Sequence, residues 1–198
     1  MSLSELWSLY GQNYIDALLA TWGMTLESFA IAMVLAVAVT VMRVSLLKPL
    51  RVFGDLYVQV FRNIPGIALL IIVVYALPPL KVVLPYRTCV IVATVLLGSA
   101  FGSENFMSGI NTVGVGQVEA ARSLGMSFSR ILAKIAIPQA LRSSVLPMTN
   151  LFIAVMLTTA LGSQVPLKPQ ELTGVVSYIN TRSLGGVAAF FISALGYL

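Results

Sequence analysis

Residues 117–138 have the sequence QVEAARSLGMSFSRILAKIAIP, the most polar and most basic long segment of an otherwise apolar chain. Residues 117–124 are mostly good helix formers, and Gly125 fits the left-handed position that often ends a helix. Ser127 is a residue type that begins helices, and apolar residues recur at helical spacing after it. Pro138 ends or kinks this second helix because it lacks a backbone N–H. The segment therefore predicts two short helices joined at a glycine.

The first of these helices carries features of a docking knob. Glu119 and Arg122 are three residues apart, a spacing that allows an ion pair on a helix. Ala120 and Ala121 place small side chains near the tip. We expect such a knob to enter a groove on another protein.

The composition is that of an integral membrane protein. The 198 residues are 58% hydrophobic and 10% charged, with a mean hydropathy of +0.94, whereas soluble domains carry about 25% charged residues. The net charge of +5 fits the excess of Lys and Arg on cytoplasmic loops and need not indicate nucleic acid. The absence of His and the single Cys exclude His-based catalysis, His-ligated metals and an internal disulfide. The N-terminus lacks the basic region of a cleaved signal peptide.

Apolar stretches near the length of about 20 residues that spans a bilayer recur along the chain. We expect five spans, at residues 17–42, 63–80, 88–118, 143–167 and 183–198. Residues 50–61 carry apolar residues at helical spacing and predict an amphipathic interfacial helix. The fifth span is short and no basic residue follows it, so we expect it to be tilted or incomplete, or the chain to be truncated.

The basic residues are distributed unevenly between the two sets of loops. Those in the loop after the first span and in the loop between the third and fourth spans are Arg43, Lys48, Arg51, Arg62, Arg122, Arg130, Lys134 and Arg142. Those in the other loops are Lys81, Arg87, Lys168 and Arg182. Because cytoplasmic loops hold the excess of Lys and Arg, the N-terminus is predicted outside and the C-terminus inside.

Residues 117–138 resemble the EAA loop of ABC-transporter permease subunits. The positions that match in register are Glu119, Ala120, Ala121, Gly125, Ile135 and Pro138. Ile137 stands where Leu is usual. The resemblance implies that the loop is a coupling element docking on an ATP-binding subunit through Glu119, Ala120, Ala121 and Gly125.

Within these permeases the chain is similar to the polar amino acid uptake family over roughly residues 25–163. Residues 25–28 (TLES), 62–65 (RNIP) and 99–104 (SAFGSE) match its motifs, and residues 109–117 are similar to actinobacterial glutamate permeases. Two departures concern the substrate. Met107 replaces an Arg, and Leu157 stands where the family often has a Lys followed by an acid or amide. A neutral substrate, a partner permease that carries the site, or an atypical subunit would each explain these losses.

Three side chains are candidates for the substrate pathway. Glu104 lies in an apolar run, where a charge at a span centre costs about 2.5–3.5 kcal/mol, so it faces water in a pathway or sits at the interface in a structural hydrogen bond. Thr158 and Thr159 either bond substrate or make structural hydrogen bonds, to the backbone of their own helix or to a neighbouring helix.

A DNA-reading helix-turn-helix is the competing interpretation of residues 120–135, with their Ala-Ala, central Leu-Gly and following Ser. Membrane-length segments flank this stretch on both sides, so it could not easily enter a major groove. We therefore expect no nucleic acid partner.

We expect an all-α integral membrane protein in which residues 1–198 form one ABC permease transmembrane domain and residues 117–138 its coupling loop. The resemblance implies an amino acid importer in the bacterial cytoplasmic membrane, crossing it several times. The implied partners are an ATP-binding subunit, a second permease subunit and an extracytoplasmic solute-binding protein. The chain has no Walker motif, so we expect no enzyme activity, no cofactor of its own, and ATP bound by the partner. A channel-like protein or a scaffold with a degenerate transport site is the alternative.

Overall fold

The computed structural model describes residues 3–182 and 186–198, and the regular structure in these ranges is entirely helical. The longer helices are α1 (Leu3–Arg43), α2 (Lys48–Asn63), α4 (Tyr86–Asn111), α8 (Val145–Thr158), α9 (Leu172–Arg182) and α10 (Gly186–Tyr197). The shorter ones are α3 (Gly66–Ile71), α5 (Val115–Ser123), α6 (Phe128–Ile131) and α7 (Ile137–Ser143). Helical turns of other pitch extend α3, α6 and α8, at Ile72–Ala76, Leu132–Ala136 and Thr159–Gln164 respectively.

The predicted all-helical membrane class is confirmed. Helices Leu3–Arg43, Tyr86–Asn111 and Val145–Gln164 are long and apolar enough to cross a bilayer, and Lys48–Asn63 with Gly66–Leu80, bent by 103°, adds a fourth span if the pair is counted as one. The expected amphipathic helix at residues 50–61 lies within α2. In the expected fifth span, residues 183–185 lie outside the described residues, and α10 has twelve residues. A helix of that length rises about 18 Å, less than the hydrocarbon thickness of about 30 Å.

The first span begins earlier than the hydropathy pattern predicts. Helix α1 has 41 residues and rises about 60 Å, so its first turns extend well before residue 17. They are helical because they bury apolar side chains, among them Leu6 and Tyr14, in a core shared with α9 and α10. The Tyr14 hydroxyl also donates a hydrogen bond to the Ala189 carbonyl at 3.1 Å. Tertiary burial thus extends a helix into a stretch too polar to be read as a span.

The chain forms two compact units. The first comprises Met1–Ile31, Ile64–Leu96 and Ile153–Leu198, and the second comprises Ala32–Asn63 and Leu97–Phe152. In the first unit α9 is largely buried, and its start is fixed by a hydrogen bond from the Leu172 N–H to the Thr21 hydroxyl at 3.2 Å.

A fully buried carboxylate caps α9 within the first unit. Glu171 accepts hydrogen bonds from the N–H groups of Thr173 and Gly174, both at 2.6 Å, and from the Tyr197 hydroxyl at 3.1 Å. These donors favour the charged carboxylate, but burial has the larger effect and raises the pKa of Glu171. The carboxylate satisfies two N–H groups that a helix start leaves unpaired, and it joins α9 to the end of α10.

Candidate functional site

The predicted glycine elbow is present in the second unit. Helix α5 ends at Ser123, and Gly125 follows with a φ of +71°. Its N–H donates to the Arg122 carbonyl at 2.9 Å, and the Met126 N–H donates to the Ala121 carbonyl at 3.1 Å. A Cβ added to Gly125 would meet nothing within 4 Å. The left-handed backbone, and not crowding, is therefore what requires glycine at this turn.

The second helix of the loop agrees with the sequence prediction at its start and differs from it at Pro138. Ser127 occupies the N-cap position, but its side chain makes no capping hydrogen bond. Pro138 does not end the helix, because α7 continues through it to Ser143. The wider π-helical turn at Leu132–Ala136 comes immediately before, where it loosens the backbone that the proline ring would otherwise meet.

The four predicted coupling residues differ in exposure. Glu119, Ala120 and Gly125 are exposed, whereas Ala121 is only 3% exposed. Ala121 therefore packs inside the loop and does not present its side chain to a partner. No ion pair joins Glu119 to Arg122 in the described part of the chain, so the predicted pairing is wrong.

Two apolar side chains at the ends of α5, neither of them among the predicted coupling residues, are strongly exposed. Leu124, beside the glycine elbow, is 82% exposed, and Val115, at the start of α5, is 71% exposed. Isolated exposed apolar residues are ordinary, so the exposure of these two residues does not by itself define a docking surface. The sequence indicates this exposure only weakly, through two apolar residues placed at the ends of the largely polar helix α5.

A network of ion pairs surrounds Glu104, also within the second unit. Arg43 contacts Glu104 at 3.1 Å and Asp55 at 2.9 Å, and Arg62 contacts Glu104 at 3.5 Å. Arg43 also donates to the Ser103 hydroxyl at 3.3 Å. The Arg43 side chain is 12% exposed, whereas that of Glu104 is 40% exposed. Arg43 is thus a nearly buried cation neutralised by two acids, and Glu104 retains access to solvent.

A cavity of about 350 Å³ opens at this network. Its walls are formed mainly by polar side chains, namely Arg43, Asp55, Gln59, Arg62, Asn63 and Glu104, with Val58 and Phe101. The Arg62 guanidinium lies 5.4 Å from the centre of the Phe101 ring, a cation–π contact that holds it against the wall. A polar cavity lined by two cations and two anions can bind a small ligand that carries both charges.

The arrangement follows from where the helices end. Arg43 is the last residue of α1, and Arg62 lies one residue before the end of α2. Glu104 lies in α4, where it borders the cavity and makes ion pairs, and its role in the substrate pathway stays a prediction. Its ion-pair partners, Arg43 and Arg62, were not predicted from the sequence. The sequence did hold a signal for Arg43, because an acid in an apolar run needs a cation and Arg43 ends the first span.

The two threonines lie in the first unit and hydrogen-bond their own helix. The Thr158 hydroxyl donates to the Ala154 carbonyl at 2.7 Å, and the Thr159 hydroxyl donates to the Met156 carbonyl at 2.7 Å. Thr159 is fully buried. Of the two roles that the sequence left open for these hydroxyls, backbone bonding is observed, and a role in the substrate pathway stays a prediction.

Comparisons with known proteins show what the chain is similar to. The model of a family described as "Binding-protein-dependent transport system inner membrane component" matches residues 28–197. A glutamate transport system permease protein of Corynebacterium efficiens is 32% identical, covering 99% of this chain and 91% of the relative. An L-cystine transport system permease protein of Bacillus subtilis is 32% identical, covering 95% and 81%. A crystal structure of an amino acid ABC transporter with histidines superposes with a TM-score of 0.91 at 25% identity, covering 100% and 91%.

Proposed function

The chain belongs to the family of inner membrane components of binding-protein-dependent transport systems, and we propose that it is the permease subunit of an ATP-driven amino acid importer. Its relatives include permeases named for glutamate and for cystine, so the resemblance to the polar amino acid uptake family is confirmed. The observation that carries the proposal is the exposed EAA loop on an all-helical membrane fold.

The proposed assembly assigns ATP chemistry to a separate subunit. Each permease subunit pairs with itself or with a related permease and holds one ATP-binding subunit at its coupling loop. A solute-binding protein outside the membrane delivers the amino acid. The chain crosses the membrane several times with its N-terminus outside, an orientation supported by the eight-to-four bias of basic residues towards the loops that include the EAA segment.

Docking on the ATP-binding subunit is proposed to use the outer surface of the loop. Glu119, Ala120 and Gly125 contribute to it directly because they are exposed, and Leu124 adds an apolar contact. Ala121 contributes indirectly, because its buried side chain holds α5 in place. Small side chains at such a surface let two backbones approach closely, which suits a contact that transmits movement.

The polar cavity supports a role for Glu104 in the substrate pathway. A free amino acid carries one ammonium and one carboxylate group, and the cavity offers the carboxylates of Asp55 and Glu104 for the first and the Arg62 guanidinium for the second. Its volume of about 350 Å³ falls within the range of small-molecule sites, about 300–1,000 Å³. Such recognition uses groups that all amino acids share, so it does not need the charges absent at Met107 and Leu157.

Thr158 and Thr159 stay candidates for the pathway in a restricted role. Their hydroxyl protons are donated to backbone carbonyls, so only their oxygen lone pairs are left to accept a hydrogen bond from a substrate. They would therefore favour an ammonium or amide donor over a carboxylate.

Crosslinking in membranes that contain the whole transporter tests the coupling assignment. Ala120→Cys places a thiol on the exposed face of α5, and we expect a mild crosslinker to capture an ATP-binding subunit there. Ala121→Cys is the matched control, because the neighbouring position is buried and should capture none. The native Cys89 is buried and should not react. If Ala120→Cys inserts normally and captures no ATP-binding subunit, the importer assignment fails and a channel or scaffold role takes its place.

A further inference from the structure

Helix α4 and helix α7 touch backbone to backbone at Gly109. A Cβ added there would lie 2.5 Å from the Ser144 hydroxyl oxygen and 2.7 Å from the Ala140 carbonyl oxygen. Real Cβ atoms do not approach other atoms so closely, so any larger residue must push the two helices apart. Gly109 is therefore the point where α4 is locked against α7, just after the coupling loop.

Four residues earlier in α4, two hydrogen bonds join this helix to Ser144, which follows α7, and to the first turn of α8. The Ser144 hydroxyl donates to the Asn105 carbonyl at 3.2 Å, and the Asn105 side-chain amide donates to the Pro147 carbonyl at 3.2 Å. Ser144 is 1% exposed, so its bond is made away from water and cannot be exchanged readily for one with solvent. We call Asn105, Gly109 and Ser144 the α4 clamp.

The clamp lies between the coupling helix and the ion pairs of Glu104. At one end, the Gln139 side chain in α7 donates to the Gln117 side chain in α5 at 2.6 Å, which ties the coupling helix to α7. At the other end, Asn105 is the immediate chain neighbour of Glu104 in α4. A continuous set of direct contacts therefore runs from α5 through α7 to α4, and all of it lies within the second unit.

We propose that the α4 clamp makes α4 move together with the coupling loop, so that movement of α5 changes the ion pairs of Glu104 with Arg43 and Arg62. The proposal rests on the proposed function, since it assumes that an ATP-binding subunit moves α5. Asn105, Gly109 and Ser144 are positioning residues in this scheme and do not touch the substrate. A chain of contacts does not by itself show that two sites are coupled. The decisive measurement therefore separates a loss of coupling between ATP hydrolysis and transport from a loss of folded protein.

The experiment uses the whole transporter, with its ATP-binding subunits and solute-binding protein, in proteoliposomes. L-glutamate, L-glutamine and L-cystine serve as probes, and the ratio of ATP hydrolysed to solute transported is measured. Gly109→Ala separates α4 from α7 by crowding, whereas Asn105→Ala removes a hydrogen bond without crowding. Gly196→Ala is the control, because its Cβ would crowd the Leu172 side chain at 2.9 Å at a helix contact in the other unit.

We expect both clamp variants to hydrolyse ATP while transporting less, so that the ratio rises at least about twofold. Gly196→Ala should leave the ratio unchanged even if it lowers the amount of folded protein. The clamp proposal is refuted if both clamp variants keep the wild-type ratio, or if Gly196→Ala raises it as much as they do. If the wild type transports none of the probes with ATP, the proposed function itself fails, which is a separate result.

Discussion

Gly125 gives the sharpest test of the coupling loop because its role is purely conformational. With a φ of +71° and no atom within 4 Å of an added Cβ, substitution costs only backbone strain. For alanine this is about 1–2 kcal/mol, and for asparagine less, since Asn tolerates the left-handed region. Proline holds φ near −65° and removes the N–H that donates to Arg122 at 2.9 Å, so the turn must be rebuilt at a cost of about 3 kcal/mol or more.

ATP-driven uptake in proteoliposomes should therefore fall in the order wild type, Gly125→Asn, Gly125→Ala, Gly125→Pro. A strain of about 1–2 kcal/mol reduces the population of the native turn about 5- to 30-fold relative to its alternatives, and proline should abolish uptake. Membrane insertion should be normal in all three variants. Gly116→Ala is the control, since Gly116 lies in the regular helix α5 and also has open space. Wild-type uptake by Gly125→Pro, or equal losses for Gly116→Ala and Gly125→Ala, would refute the reasoning.

Three further perturbations probe other parts of the chain. Glu104→Gln removes the negative charge from two ion pairs, and because the side chain is 40% exposed we expect the free energy of unfolding to fall by about 1 kcal/mol or less. Uptake should fall sharply, and thermal melting and uptake are measured on the same preparation. Unchanged uptake would mean that Glu104 has only a structural role. Burial raises the pKa of Glu171, so the folded state binds a proton that the unfolded state releases, and thermal stability should fall as the pH rises from below the ordinary glutamate pKa through the raised one. Glu171→Gln should flatten this dependence in melting curves, and an identical pH profile would contradict it. Glu27→Gln breaks an exposed 2.8 Å pair with Arg87 and should change stability by no more than about 1 kcal/mol in the same assay.

Local sequence signals predicted the parts of the structure that depend on neighbours along the chain. The glycine elbow at residue 125 follows from backbone preference, and the helices on either side follow from composition, so both could be read without tertiary information. Ser127 occupies the predicted N-cap position without a side-chain hydrogen bond, and of the two outcomes expected at Pro138 the end of the helix is not observed. A π-helical turn before the proline removed the conflict that the rule assumes.

Long-range contacts were beyond the sequence argument. Arg43 and Glu104 are 61 positions apart, and no periodicity links them. The burial of Ala121 beside an exposed Ala120 depends on which face of α5 packs against the rest of the loop, including α6, and identical residue types give no hint of it. The early start of α1 likewise depends on α9 and α10, which lie more than 150 residues along the chain.

The charges that this chain keeps and lacks suggest how substrate selection is divided. Side-chain charges are absent at Met107 and Leu157, whereas Arg43, Asp55, Arg62 and Glu104 form one network around a polar cavity. If that cavity binds the ammonium and carboxylate groups of any amino acid, the permease itself discriminates little between side chains. Discrimination then falls to the proposed solute-binding protein. Exchanging that protein for one with a different amino acid ligand should change what is transported, provided that the new protein docks, and Glu104→Gln should lower uptake of both amino acids alike.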